Sequence, residues 1–291
     1  MSGPERSGGA ANQGRGGVSG QGRSVAAIDI GGTRTRVAAG DGPVVRFPTE
    51  QDYDRQLARL RDAVPGTPSA VGVSFGGRVT AAGEVRVAMN LRAYEGRPLR
   101  RDLESTLDAP VRVAHDATCG LLGEHALGSL RGADRCGYVT LSTGVGAALR
   151  LGVGGHFVAA TTEAGHQLVA GNDRRCGCGQ TGCLETLLGG AALGRHLGRA
   201  LETVEDAGFW HGYARHLADG IANFALTAGL DAVAVGGAIA ARRAELWPPL
   251  REALAERLTY QAVRVDPATL DEAPLEGARV LLDVPPSSIL H

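Results

Sequence analysis

From Val25 onward the chain breaks into short blocks of apolar residues whose period changes repeatedly. Val25 to Ile30 (VAAIDI) is rich in strand formers, Gly31-Gly32-Thr33 is a turn, and RTRVAAG from Arg34 is strand-like again, which predicts a hairpin. Residues 52–64 (DYDRQLARLRDAV) carry Leu57, Leu60 and Val64 at helical spacing, ended by Pro65-Gly66. Ala70 to Ser74 is the next strand, running into Phe75-Gly76-Gly77-Arg78-Val79, and Glu84 to Met89 alternates as another. Pro98 is placed at the first position of a helix reaching Leu107. Val111 to Asp116 (VRVAHD) reads as a strand ending in an acid, with a helix (ATCGLLGEHALG) after it.

Gly137 to Ser142 is a strand that opens a second glycine hairpin, Ser142 to Gly146, followed by a strand from Ala147 to Leu151 and a further turn before His156-Phe157-Val158. Leu184 to Leu201 reads as a helix weakened by glycines. Asp206 to Ala228 is a longer one, with Tyr213, Leu217, Ile221 and Phe224 on one face. Asp231 to Ala240 (DAVAVGGAIA) reads as a strand through Gly236-Gly237, and Ala241 to Leu258 as a helix broken at Pro248-Pro249. A final helix in DEAPLEGARVLL is expected to be short or absent.

Composition narrows the class. With 291 residues, a net charge of -1 and 43% hydrophobic content, the chain suits a globular protein of one large or two moderate domains. The balanced charge gives no reason to expect a nucleic acid or a membrane as partner, and no apolar run is long enough to span a bilayer. Residues 1–24 hold almost no apolar side chains and lack the apolar core of a signal peptide. They are expected to be a disordered tail, and the cysteines to stay reduced in a cytoplasm.

The densest chemistry lies between Glu163 and Glu185 (EAGHQLVAGNDRRCGCGQTGCLE), which holds Cys176, Cys178 and Cys183. Three thiolates and the His166 imidazole complete a tetrahedral zinc shell without an open position, as in a structural site. Glycines between the cysteines let the sulfurs converge, and Cys-x-Cys is too close for an easy mutual disulfide. Glu163 and Glu185 flank the cluster. Spacing leaves Glu185 between two readings: an acceptor for a polyol, or a first-turn carboxylate favoured by the helix dipole.

The pattern E-x-G-H followed by C-x-C-G-x-x-G-C-x-E resembles the signature of ROK proteins, which include bacterial glucokinases. Asp29-Ile30-Gly31-Gly32-Thr33 is similar to the first phosphate motif of the actin-like ATPase superfamily, and Thr143-Gly144-Val145-Gly146 to the second phosphate loop. Gly236-Gly237 resembles the adenosine motif. Asn90-Leu91 with Tyr94-Glu95-Gly96 and Pro98-Leu99 resembles the run N-L-x-x-W-x-G-x-P-L. There is no G-x-x-x-x-G-K-[ST], so the chain is not of the P-loop type.

Two positions depart from the pattern. His115 stands where the family has Asn before its catalytic Asp, here Asp116, and Phe75-Gly76-Gly77-Arg78-Val79 stands where many members read x-P-G-P-V. The Gly-Gly-Arg form resembles the N-acetylmannosamine-kinase branch. Arg78 reads equally as a sugar contact or a solvated surface residue.

The resemblance implies an α/β, actin-like two-domain fold with a cleft, the domains spanning 25–116 and 117–291. It implies transfer of the γ-phosphoryl group of ATP to a hexose hydroxyl, O6 by analogy, with Asp116 as general base. Gly77, Arg78, Asn90, His115, Asp116, Glu163, His166 and Glu185 would meet the sugar. Asp29, Gly31, Gly32, Thr33, Thr143, Gly144, Gly236 and Gly237 would meet Mg2+ and ATP, and His166, Cys176, Cys178 and Cys183 would hold zinc. A homodimer is implied as well. The substrate is expected to be glucose or a modified hexose such as kanosamine, with N-acetylmannosamine or a cyclitol as alternative. A ROK repressor would need a winged helix ahead of Val25, for which 24 residues are too few, and a silent sugar sensor would not need Asp116.

Overall fold

The computed structural model describes residues 24–40 and 42–291. The tail expected over 1–24 lies outside the described residues apart from Ser24. In the first half the elements run β1 (Val25–Ile30), β2 (Arg34–Ala39), β3 (Val45–Pro48), α1 (Tyr53–Ala63), β4 (Ala70–Phe75), β5 (Arg78–Val79), β6 (Val85–Val87), α2 (Leu99–Leu107), β7 (Val111–His115) and α3 (Asp116–Leu127). The second half runs β8 (Arg135–Leu141), β9 (Val145–Val153), β10 (His156–Thr162), α4 (Glu185–Leu188), α5 (Gly190–Leu197), α6 (Ala207–Ala228), β11 (Ala232–Gly236), α7 (Gly237–Arg242), α8 (Trp247–Arg257), β12 (Arg264–Pro267), α9 (Ala273–Val280) and β13 (Ile289–Leu290).

The two halves repeat one pattern. The first sheet has the order β3-β2-β1-β4-β7, and the second β12-β11-β8-β9-β10-β13. In each, a three-stranded antiparallel meander (β1-β2-β3, β8-β9-β10) is extended on the side of its first strand by two parallel strands. Each sheet's last parallel strand leads to a helix, α3 or α9, and these helices pack against each other between the sheets. The two glycine hairpins therefore occupy equivalent places, each at the end of the central strand of its sheet.

Strand alternation explains the layers. Ala26, Ile28 and Ile30 of β1 face the outer core under α1 and α2, whereas Ala27 faces α3 and α9. In β11, Val233 and Val235 face the outer core with α6 and α8, and Ala232 and Ala234 face the middle layer. Alanines dominate the inward side because the middle layer is tight. A Cβ at Gly277 would collide with the Cys119 carbonyl of α3, and one at Gly72 with the Ala278 carbonyl of α9. Two sheets, both covered on two faces, account for strands that read as continuous apolar runs.

Several boundaries differ from the sequence expectations, each for a local reason. The expected strand 111–116 stops at His115, which caps α3 and leaves Asp116 in its first turn. The strand read over 231–240 stops at Gly236, because Gly237 (φ +89) turns the chain into α7. The helix read over 184–201 splits at Gly189 and ends at Leu197, with Gly198 left-handed. Pro248 and Pro249 do not break a helix but start α8, where missing N–H groups cost nothing. Pro98 is a cap rather than the first helical residue of α2. The strand read over Glu84 to Met89 is only Val85–Val87. The closing helix, expected short or absent, is α9, eight residues long.

Candidate active site

The site forms where both glycine hairpins meet the start of α3. A Cβ on Gly76 would stand 3.6 Å from Gly31 Cα and 3.7 Å from Asp116 Oδ2, and one on Gly146 would stand 3.6 Å from Ala117 Cβ. Asn90 lies against the first hairpin, so closely that a Cβ on Gly32 would meet the Asn90 Cβ at 2.6 Å. Thr49 secures that hairpin from beneath, its hydroxyl donating to the Gly31 carbonyl at 2.7 Å while its N–H donates to Thr33 O at 3.1 Å.

Asp116 sits at the positive end of α3. Its Oδ1 accepts from the Ala117 N–H at 2.6 Å and lies 2.9 Å from His115 Nδ1. Ala117 N is also 3.2 Å from His115 Nδ1, but the carboxylate is the nearer acceptor, which leaves Nδ1 to donate its proton to Asp116. Burial pushes the Asp116 carboxyl up, yet the His115 charge, its hydrogen bond and the Ala117 N–H outweigh it and hold the group below its ordinary value. Burial would lower the His115 pKa, but Asp116, and Glu163 beyond it, keep it above its ordinary value.

Asp29 is buried on β1, beside Ser74 of β4. The Ser74 hydroxyl donates to Oδ1 at 2.7 Å and Arg36 Nη1 reaches Oδ2 at 2.6 Å. Burial raises its pKa to about 6 against both of these partners, and the neighbouring Asp116 charge adds to the rise. Arg36 also meets Glu272, at the cap of α9, at 2.6 Å. Sequence reasoning missed Arg36, Ser74 and Glu272. The first was within reach, since a hairpin turning at 31–33 sets Arg36 opposite Asp29.

The far wall comes from the cysteine segment. Glu163 lies 3.3 Å from Arg78 across the cleft and 4.0 Å from His166 Nε2. His166 Nδ1 is 3.7 Å from Cys176 Sγ, and Cys178 and Cys183 are 3.7 Å apart, so none of the three is in a disulfide. The four donor atoms of His166, Cys176, Cys178 and Cys183 lie within 4.8 Å of one another. Zinc–sulfur bonds of about 2.3 Å in a tetrahedron give sulfur–sulfur edges of about 3.8 Å, so the shell fits zinc. Slight burial raises the Cys178 thiol, but N–H donors from Gln180 and the adjacent thiols bring it down to about 7, which favours a thiolate ligand.

Glu185 joins the His/Cys cluster to the second hairpin. Its Oε2 accepts from the Val145 N–H at 3.1 Å, and Oε1 lies 3.8 Å from Cys176 Sγ. Thr143 and Gly144 sit between Glu185 and α5, with Thr143 O accepting from Ala191 N at 2.9 Å. Gly237 packs on the strand before this hairpin, where a Cβ would collide with the Leu141 main chain. Gly236 lies under Tyr138, whose hydroxyl would be 2.5 Å from an added Cβ. Gly77 likewise faces Val87 O, at 2.6 Å from where its Cβ would be. These glycines serve tight packing whatever else they do. Arg78, His115, Asp116, Glu163 and His166 are thus linked in one group, and Asp29, Gly31, Gly32, Asn90, Thr143, Gly144 and Glu185 border it.

The model of the ROK family matches residues 25–283. The N-acetylgalactosamine kinase of a Shewanella species is 33% identical over 192 residues, which is 58% of this chain and 61% of that protein. The kanosamine kinase of Amycolatopsis mediterranei is 32% identical over 282 residues, 84% of this chain and 90% of that one. Among solved structures, the ROK hexokinase of Thermus thermophilus superposes with a TM-score of 0.72 at 27% identity, covering 89% of this chain and 97% of that one. With its paired sheets, crossed α3 and α9 and intervening cleft, the fold is the actin-like ATPase fold of those kinases, and the chain belongs to the ROK family.

Proposed function

We propose that this chain transfers the γ-phosphoryl group of ATP to a hydroxyl of a hexose or aminosugar, with Asp116 as general base. The observation that carries the reading is Asp116 itself. Its Oδ1 is held by Ala117 and His115, while Oδ2 faces the Gly76 side, where both glycine hairpins converge. A carboxylate anchored by one oxygen and presenting the other is arranged to orient a hydroxyl and take its proton. Phosphoryl transfer asks the protein for positioning and charge neutralisation more than for covalent help.

Main-chain N–H groups near 31–33 and 143–146 would receive the phosphates. Mg2+ would neutralise phosphate charge when bound. Asp29 would contribute its field rather than a direct bond, since Ser74 and Arg36 already engage both of its oxygens. Glu163, His166, Glu185, Asn90, Gly77 and Arg78 would surround the sugar. Zinc on His166 Nδ1 would fix the ring and leave Nε2 toward Glu163 and the cleft. Gly236 and Gly237 would leave room for adenosine.

Residues 25–116 and 117–291 form the two lobes in this reading, with α9 returning to pack on the first sheet. Lobe closure would exclude water as a competing nucleophile. The reading includes a homodimer in the cytoplasm, a reducing setting in which the free cysteines could hold metal. Among the described residues no helix is long and apolar enough to cross a membrane.

The relatives differ in acceptor, and His115 and Arg78 alter the sugar wall, so a modified hexose such as an aminosugar is the favoured substrate and glucose the reference. The test is ATP turnover over a panel of hexoses, aminosugars and cyclitols, with the product's phosphate position read by NMR. Absence of sugar-dependent ADP release across the panel would reject the reading.

A further inference from the structure

A small pocket lies beside His115, and a larger groove adjoins it. Thr118 of α3 and Thr161 of β10 join hydroxyls at 2.8 Å, and β13 adds to the edge of β10 through Ile289 and Leu290. These residues, with Arg78, His115 and His291, enclose a pocket beside Asp116. From Arg78, Val79 and His291 the space runs outward as a groove of about 590 Å³, walled by Thr80, Arg86 and Val87.

The groove has an excess of positive charge near it. Arg78 has Glu163 as its counter-charge, but Arg86 on the groove wall has no carboxylate partner among the described residues, nor do Arg100 and Arg112, which do not line the groove but lie near His291, which does. Arg100 gives Nη1 to the Ala81 carbonyl at 3.3 Å, and its Nε is buried without a partner. Arg112 gives Nη1 to the Val284 carbonyl. Both lie close enough to His291 to add to burial in holding that imidazole below its ordinary pKa. A concave wall with an excess of one sign concentrates counter-ions, and guanidinium forks match the oxygens of phosphate and carboxylate.

We propose that the groove is an anion subsite adjoining the sugar site, which takes the phosphate or carboxylate group of a small molecule. Two sources share this chemistry: an anionic substituent on the acceptor itself, or a separate anion that binds beside a neutral sugar. The proposal rests on the sugar-kinase reading only where the acceptor is concerned.

Arg86 is exposed and outside the catalytic group, so Arg86→Gln should fold and keep its turnover of neutral hexoses. With a non-hydrolysable ATP analogue filling the nucleotide site, inorganic phosphate titrated calorimetrically should bind the natural chain in the millimolar range. Binding should weaken about tenfold in R86Q, the effect of one lost charge-assisted contact. In parallel, kcat/KM is compared for glucose 1-phosphate and glucose as acceptors in both proteins. A preference for glucose 1-phosphate that R86Q removes assigns the anion to the acceptor. Phosphate binding that R86Q weakens, without that preference, assigns it to a separate ligand. The proposal is overturned if phosphate binding is absent or equal in the two proteins and R86Q leaves the acceptor ratio unchanged. Failure of the kinase reading would appear separately, as no turnover of any sugar, and would leave the phosphate titration as the test of the subsite.

Discussion

His115 Nδ1 stands 2.9 Å from Asp116 Oδ1, so the residue that departs from the family pattern is bonded directly to the proposed base. Each raises the other's charged population, His115 moving up and Asp116 down from their ordinary values. The stability this pair contributes is greatest between the ordinary Asp and His values, about 3.9 and 6.5. It is lost as pH falls through the lowered Asp116 value, and lost again as pH rises through the raised His115 value. Catalysis should run the other way on the alkaline side. While His115 is charged, Asp116 is a weak base, and deprotonation of His115 makes it stronger. The expected kcat profile rises through a step above pH 6.5, and His115→Asn should abolish that step. A profile that is the same in both proteins would remove His115 from the control of Asp116.

Asp116→Asn should leave the fold and sugar binding largely intact, because an amide can still accept from the Ala117 N–H at the start of α3. Loss of a positioned base costs about 10²–10⁴-fold in rate. Stopped-time ADP release, set beside sugar affinity from intrinsic fluorescence or calorimetry, checks both halves. Turnover near that of the natural chain would reject the assigned role.

What the sequence disclosed follows from the range of the forces involved. The hairpins, the strand–acid–helix passage at Asp116 and the cysteine shell are local patterns, and all were readable. The helix interruption at Gly189 and the early end of the strand at Gly236 were not, since glycine is tolerated in either element until packing demands a turn, and here the Leu141 main chain leaves no room for a Cβ at Gly237. The Arg36–Glu272 pair and the Glu124 cluster join residues far apart in the chain, so periodicity carries no trace of them. The close approach at Gly277 could not be read from DEAPLEGARVLL, because a glycine in a short helix does not announce the main chain it packs against. Placing β13 beside β10 required the fold, because two residues have no periodicity to read.

Cys178→Ser should lower zinc content, melting temperature and sugar affinity together. His166, whose Nδ1 faces Cys176 at 3.7 Å, would lose the anchor that aims Nε2 at Glu163. Elemental analysis of protein purified without chelator is the direct check, and roughly one zinc per chain is expected for a single shell of this donor set. Metal-free protein with full activity would sink the closed-shell reading.

The substrate prediction rests on the same imidazole. With Nδ1 committed to Asp116, only Nε2 is left to His115 for a sugar group, where the family Asn offers both a donor and an acceptor. A site built for one hydroxyl or amine rejects analogues that leave its polar groups unpaired, by as much as about 10⁴-fold. Plain glucose should therefore be a poor acceptor and a modified hexose or cyclitol a better one. His115→Asn should shift the kcat/KM ratio toward glucose. Efficient use of glucose by the natural chain, with a ratio unmoved in H115N, would make His115 a neutral replacement.

Glu124 carries the last prediction, and it concerns the crossing between the sheets. Its carboxylate is fully buried in α3 and accepts from Ser129 N at 2.8 Å, Ser129 Oγ at 3.0 Å, Thr269 N at 2.9 Å, Thr269 Oγ1 at 3.2 Å and Leu270 N at 2.8 Å. Two of these N–H groups belong to the segment that carries the chain from β12 in the second sheet to α9 beside the first. Glu124 thereby ties that return segment to the helix that begins with Asp116. Glu124→Ala would leave three main-chain donors without an acceptor, at about 1–3 kcal/mol for each that water cannot reach, and would open a cavity. Glu124→Gln keeps the volume but turns one acceptor into a donor facing donors, and should cost less. The expected order in melting temperature is natural chain, then E124Q, then E124A, with amide exchange at Thr269 and Leu270 accelerating before the outer cores loosen. Equal stability of all three proteins would show that the segment holds its place without Glu124, through α9 packing alone.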